Sequence, residues 1–464
     1  MRPLALLAWG LLLAGCTVGP NYKRPAVDTP GAYRDDSLNQ SSLVSAQSLG
    51  DEKWWEVFQD PVLQQLIHTA LQQNYDVQIA AARVLQAQAQ LGITRASQFP
   101  MVNAGAQGFS ERNPQIASVI PAYKANAAEV DLSVIWNLDF WGKYRRQTEA
   151  ARASLLASEW GRRAVLTSVV SSVATAYFQL RELDLALEVS KKTLVSRQNS
   201  LQLINVLAKN GSASVLDVRQ AEQLVYAAAE TISDLERQLA QQENALSILL
   251  GENPGAIPRG RQLTEQAYPP TVPAGLPSEL LERRPDIRQA EENLVAANAE
   301  IGVAKAAYFP SISLTGTAGF ESYKLSQLFT GSSTLWNAAG SLTQPVFEAG
   351  GLRAGMRLAE AQKEQMLLTY KQTIMGAFQQ VSDSLVAYQK EREFREQQEL
   401  LTSAAQDTDR LSNILYQHGG ASFLQVLTSE TNYFAAALNL AQAQLNERLA
   451  LVQLYNALGG GWQQ

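Results

Sequence analysis

The chain has 464 residues, a formal net charge of −6, 18% charged residues, two histidines and one cysteine. The acidic balance argues against nucleic acid as a partner. Two histidines far apart (His68 and His418) and a lone cysteine argue against a zinc or redox-metal centre, and the absence of a Gly-x-Ser-x-Gly elbow, a Walker loop or a Gly-x-Gly-x-x-Gly turn argues against an enzyme or a bound cofactor.

The N-terminus reads as an export signal. Arg2 supplies a positive n-region, Leu4 to Leu13 a short apolar h-region, and Leu13-Ala14-Gly15-Cys16 a lipobox. In that reading residues 1–15 are removed and Cys16 carries covalent lipid. An ordinary signal peptide, or a short buried helix ending in cysteine, is the other reading. The only cysteine standing where processing needs it favours the lipobox. Thr17 stands where Asp would retain a bacterial lipoprotein at the inner membrane, so the expected destination is the outer membrane. No apolar run of about 18 residues follows, so no membrane-spanning helix is expected.

Residues 16–50, rich in Pro, Gly, Asp, Ser and Gln, read as a lipidated tether. Trp54-Trp55 and Phe58 open the folded part, with Asp60-Pro61 as N-cap and first helical residue. Helical spacing then runs from Val62 to about Ala96 without a break, and Phe99-Pro100 stops it. Met101 to Arg112 alternates weakly. Ala127 to Leu138 alternates, with Val130, Leu132, Val134, Trp136 and Leu138 against Glu129, Asp131, Ser133 and Asn137, a face that is polar except at Ile135. Gly142 to about Lys209 contains no proline and has apolar residues at three- and four-residue steps. At 1.5 Å per residue that helix would be about 100 Å long, too long for a compact globule. Gly211 breaks it, and a second helix runs from about Ser214 to Leu250.

Residues 251–278 are rich in proline and glycine and read as a linker. Beyond it the chain repeats itself. Ile312 to Phe320 and Leu335 to Val346 are the second pair of strands, Leu352 to Gln417 the second long helix, Gly419-Gly420 the break and Ser422 to Leu458 the last helix. Leu207 to Val218 returns as Leu415 to Val426 at an offset of about 208, and Phe99-Pro100 returns as Phe309-Pro310 at about 210. The expected domains are therefore a first structural repeat over 51–250, the linker over 251–278, a second repeat over 279–459, and a short tail over 460–464.

Each repeat holds a hairpin whose strands approach the length a membrane strand needs. Aromatic residues such as Trp136, Trp141, Phe320, Tyr323 and Phe347 lie at or near the strand ends. A membrane girdle is one reading of them and an ordinary soluble hairpin is the other. Four membrane strands cannot close a barrel, and lipid tolerates no open sheet edge, so several chains must share one. Two chains give eight strands, whose interior side chains fill; three give twelve, which leave a pore. The turns near 209–214 and 417–422 would then stand about 100 Å from the membrane.

The motifs Cys16-Thr17-Val18-Gly19-Pro20-Asn21-Tyr22, Trp54-Trp55 with Phe58 and Asp60-Pro61, Arg284-Pro285-Asp286-Ile287 and Ala307-Tyr308-Phe309-Pro310 are specific. With them the chain resembles, over nearly its whole mature length, the TolC-like outer-membrane factors in their lipoprotein (NodT or OprM type) branch. The resemblance implies an α+β membrane protein: a homotrimer with a twelve-stranded transmembrane β-barrel, four strands per chain, continuous with a periplasmic α-helical barrel. It also implies a passive, gated efflux duct with two partners, a periplasmic membrane-fusion adaptor and an inner-membrane pump of the resistance-nodulation-division type. A pore-free envelope-spanning coiled-coil lipoprotein, and a type I secretion duct for peptides or proteins, are the alternatives.

The gate of such ducts lies where the helix pairs turn. The resemblance places Asp217 and Tyr416 there, and assigns Gly211, Ser212, Gly419 and Gly420 at the tips to adaptor or pump contact. Three copies of Asp217 at a constriction would attract cations; an acid stabilising the first turn of a helix is the other reading. Tyr416 is either a latch or a packing aromatic. Gln425 and Thr428 stand where family members often carry acids, so one charged ring is expected to be missing.

Overall fold

In the computed structural model residues 17–31, 33, 48–114, 123–266, 275 and 277–462 are described. Cys16 and the signal segment lie outside them. Helices α1 (Trp54–Val57), α2 (Pro61–Gln73) and α3 (Tyr75–Ala96) lead into strands β1 (Met101–Asn113) and β2 (Tyr123–Leu138). Helices α4 (Lys143–Lys209) and α5 (Val215–Leu250) complete the first repeat. The second consists of α6 (Pro277–Arg283), α7 (Pro285–Ala306), β3 (Ser311–Ser322), β4 (Thr334–Thr343), α8 (Gly351–Gln417) and α9 (Phe423–Ala457).

The two copies match closely in length. Helices α3 and α7 each have 22 residues, α4 and α8 each have 67, and α5 and α9 have 36 and 35. The two-residue change of offset falls between the helix that precedes each hairpin and the long helix that follows it.

Several expected boundaries differ, and β2, for one, begins at Tyr123 and not at Ala127. The helix read as continuous from Val62 to Ala96 breaks at Asn74, whose backbone is extended (φ −61°, ψ 130°). The Asn74 carboxamide oxygen accepts from the N–H groups of Asp76 and Val77 and starts a new helix, while its amide donates to the Leu249 carbonyl at 2.9 Å. Apolar spacing persists through the break, so periodicity alone missed it. Strand β4 ends at Thr343, short of Val346; Pro345, with no N–H to donate, cannot extend the ladder. Asp60 caps α2 as read, accepting from Val62 N–H at 2.9 Å with Pro61 in the first turn.

The four strands form one antiparallel sheet in the order β1-β2-β3-β4. Its register sorts the side chains by face. Val102 lies opposite Val134, Val134 opposite Gly316, and Gly316 opposite Ala338. The neighbouring row joins Asn103, Ser133, Thr317 and Asn337. Since side chains alternate, one face is apolar across all four strands and the other is mostly polar, as in a lipid-facing barrel wall with an aqueous interior. Among the described residues, strands β1 and β4 each have a neighbour on one side only.

The chain divides into two compact units that cut across the repeats: residues 1–26, 83–159 and 289–371, and residues 27–82, 160–288 and 372–464. In the first, which contains the sheet, the segment after Thr17 is extended but tied down. Val18 N–H donates to Trp141 O (3.1 Å), the Arg146 guanidinium donates to Asn21 Oδ1 (2.7 Å), and Asn298 donates to Pro20 O (3.0 Å). Trp141 stacks on Phe309 at 4.8 Å and donates to Pro310 O. The second unit has a core of Leu63, Ile67, Val173, Tyr177, Leu180 and Tyr455. Trp462 docks there too, with the Arg163 guanidinium 4.1 Å from the Trp160 ring and 5.0 Å from the Trp462 ring.

Candidate functional site: the turns of the two helix pairs

Both turns are built alike. After α4, Gly211 takes φ +74°, Gly211 N–H donates to Ala208 O (3.0 Å) and Ser212 N–H to Leu207 O (2.9 Å). After α8, Gly419 takes φ +74°, Gly419 N–H donates to Tyr416 O (3.0 Å) and Gly420 N–H to Leu415 O (2.8 Å). Glycine is the residue that enters this left-handed conformation without a steric cost, and the paired bonds close each helix end. The next helix then starts on a serine, and here the copies part. Ser214 Oγ accepts from Asp217 N–H at 3.1 Å, and Asp217 Oδ2 accepts in return from Ser214 N–H at 2.8 Å and from its hydroxyl at 2.7 Å. This is a closed capping box. Ser422 accepts from Gln425 N–H at 3.3 Å, but no return bond from Gln425 is present. Thr428 turns its hydroxyl back to Leu424 O at 2.8 Å.

Below the turns, all four helices contribute to one apolar cluster. Ile204, Ala221, Phe423, Val426 and Leu427 are buried, with Leu207, Val218, Leu224 and Tyr416 packed against them. The Tyr416 and Phe423 rings meet at 5.5 Å. Burial pushes the Tyr416 hydroxyl above its ordinary pKa, and the negative charge of Asp217 adds to the shift. The structure thus brings Asp217 and Tyr416 into one electrostatic neighbourhood at the turns. Asp217 serves as the first-turn acid of α5, and Tyr416 as a packing aromatic.

Further from the turns lies a polar layer that the sequence reading missed. Glu430 is buried on α9 and accepts from the Ser200 hydroxyl of α4 at 3.1 Å; its second carboxylate oxygen is buried without a partner among the described residues. Arg197, also on α4, donates to Leu224 O (2.9 Å) and lies 4.9 Å from the Phe434 ring. Asp409 on α8 accepts from Ser429 at 3.3 Å. Burial raises the Glu430 pKa and the charge of Asp409 raises it further, against the Ser200 hydrogen bond and Arg197. The signal was in the repeat. Glu430 corresponds to Glu222, which pairs with Arg219 at 2.7 Å; the counterpart of Arg219 is Leu427, so Glu430 has lost that cation. Among the described residues no three of His, Cys, Asp and Glu assemble into a group that could hold a metal.

A duplicated chain of sheet and helix pairs, with one lipid-compatible sheet face, has counterparts among known proteins. The family of outer membrane efflux proteins matches residues 66–252 and 276–460, once for each repeat. The chain belongs to that family. It is 36% identical to the cation efflux system protein CusC of Escherichia coli O6:H1, with all of both chains covered. It is 38% identical to the solvent efflux pump outer membrane protein SrpC of Pseudomonas putida, covering 97% of each. Among solved structures, the outer-membrane channel OprN superposes with a TM-score of 0.89 at 30% identity, over 97% of this chain and all of that one. The protein is accordingly an outer-membrane efflux channel. Its fold is α+β and internally duplicated, with four strands per chain for a transmembrane barrel and long helix pairs extending into the periplasm.

Proposed function

We propose that three copies of this chain close one twelve-stranded barrel and act as the passive, gated outer duct of a tripartite pump. The supporting observation is the sheet: four strands, one face apolar, and two edges with no partner among the described residues of the chain. Lipid tolerates no such edge, and a pore needs more than the eight strands of a dimer. A periplasmic adaptor and an inner-membrane pump of the resistance-nodulation-division type complete the assembly, with Gly211, Ser212, Gly419 and Gly420 at the contacting tips. Energy and cargo selection belong to that pump, since relatives of similar identity are named for cations and for solvents. The duct performs no catalysis and needs no cofactor beyond the lipid on Cys16. A ring of three Asp217 carboxylates at the turns forms the gate, with Tyr416 as its packing support. Native mass spectrometry and planar-bilayer recording test this. The expected results are a three-chain mass that resists mild detergent and discrete cation-selective conductance. A stable single-chain or two-chain mass, or a non-conducting insertion, would refute it.

A further inference from the structure

A cationic groove lies in the unit that contains the sheet, between the last turns of α3 and the first turns of α4. It holds about 520 Å³ and is lined by Gln88, Leu91, Arg95, Gln98, Arg145 and Arg152 among others. Its acidic neighbours are already engaged. Glu149 meets Arg146 at 2.7 Å, and Asp139 takes the first N–H groups of α4 together with Arg145. No hydrogen bond or ion pair engages the side chain of Arg95 or Arg152 among the described residues. Arg95 and Arg152 therefore face a groove whose lining carboxylate, Glu149, is already paired with Arg146.

Two markers place this groove at the lipid surface. Trp136 belongs to the apolar sheet face, in the row of Leu314, and its indole N–H donates to Gln98 O at 3.1 Å. Gln98 lines the groove, which therefore begins directly beneath the lipid-facing wall, beside the exposed Phe99 and Met101. Interfacial tryptophan with arginine just beyond it matches the headgroup layer. The second marker is Thr17, the neighbour of the proposed lipidation site, which packs against Gly142 immediately before α4. Arg145 follows within one turn.

From the charge, size and position of this groove we infer that it binds the phosphate of an anionic phospholipid in the periplasmic leaflet of the outer membrane. Arg95 and Arg152 engage the phosphate oxygens, and Leu91 and the arginine stems line the glycerol end.

The test uses the full lipidated channel, stripped in detergent and examined by native mass spectrometry with phosphatidylglycerol, phosphatidylcholine or inorganic phosphate. Phosphatidylglycerol is expected to be retained about tenfold better than phosphatidylcholine. The double variant Arg95→Gln, Arg152→Gln should abolish that preference, Arg95→Lys, Arg152→Lys should keep much of it, and Arg410→Gln, near the end of α8 in the other unit, should leave it unchanged. Equal retention of the two lipids by the unmodified channel overturns the inference without any variant. Displacement of the lipid by millimolar phosphate, which would make this a free-anion site, also overturns it. So does a double variant that dissociates while the unmodified channel ignores phosphatidylglycerol, since the arginines would then join copies of the chain.

Discussion

Asp60 is 1% exposed and accepts four hydrogen bonds: Val62 N–H on one oxygen, and the Tyr177 hydroxyl (2.8 Å), Arg261 N–H (3.0 Å) and the Gln266 amide (2.7 Å) on the other. Burial alone would raise its pKa; these donors outweigh it and hold the carboxyl below its ordinary range. A depressed carboxylate contributes stability above its unfolded pKa and loses it as pH falls through the folded value, so acid loosens this node. Asp60→Ala strands several buried donors and should cost about 3 kcal/mol, read as a lower thermal midpoint in detergent. Glu430 has the opposite sign. Its raised pKa means that stability is full below the unfolded value and is lost as pH rises through the folded one. Glu430→Gln should stabilise the channel by about 1 kcal/mol at neutral pH, and the gain should vanish below the unfolded pKa of a glutamate. A gain independent of pH would assign it to packing instead. Asp60 was legible as an N-cap because Asp-Pro is a local signal. Its partners, up to 206 residues away, were not, because nothing local in Tyr177 or Gln266 distinguishes a buried donor from a surface one.

The turns were the most legible elements, since Gly-Ser-Ala-Ser and Gly-Gly-Ala-Ser name both the left-handed exit and the serine cap. Asn74 was less so, because an asparagine inside a helical pattern marks a break only when its side chain finds the N–H groups two and three residues on. The repeat also sets up an internal control. Gly211 and Gly419 share φ +74°, and no atom lies near enough to obstruct a side chain at either. Alanine at either position meets only the backbone cost, about 1 kcal/mol. The two variants should therefore lower the thermal midpoint equally, and a clear difference would show that one tip carries a contact the other lacks. Gln425→Asp should add the missing return bond to Ser422 and complete a second capping box. The expected gain is about 0.5 to 1 kcal/mol in the same melt, and no gain would mean that the α9 start is already satisfied.

At the scale of the whole channel, Asp217 has two roles that a single deletion would confuse. Its carboxylate caps α5 through Ser214, and in a three-chain assembly it supplies the charge of the proposed ring. Asparagine separates them, because its side-chain oxygen still accepts from Ser214 N–H while the charge is gone. Like charges converging at a narrow opening raise the local cation concentration in proportion to their field. Asp217→Asn should therefore keep the thermal midpoint within about 0.5 kcal/mol of the unmodified channel. Its cation-over-anion permeability ratio should fall roughly severalfold, with loss of block by divalent cations. Asp217→Ala should show the same electrical change and a lower midpoint, because it loses the cap as well. The second turn offers no compensation, since Gln425 and Thr428 carry no charge and Thr428 bonds its own helix. If Asp217→Asn leaves selectivity and divalent block intact while Asp217→Ala lowers only the midpoint, Asp217 is a helix cap and the constriction lies elsewhere in the tube.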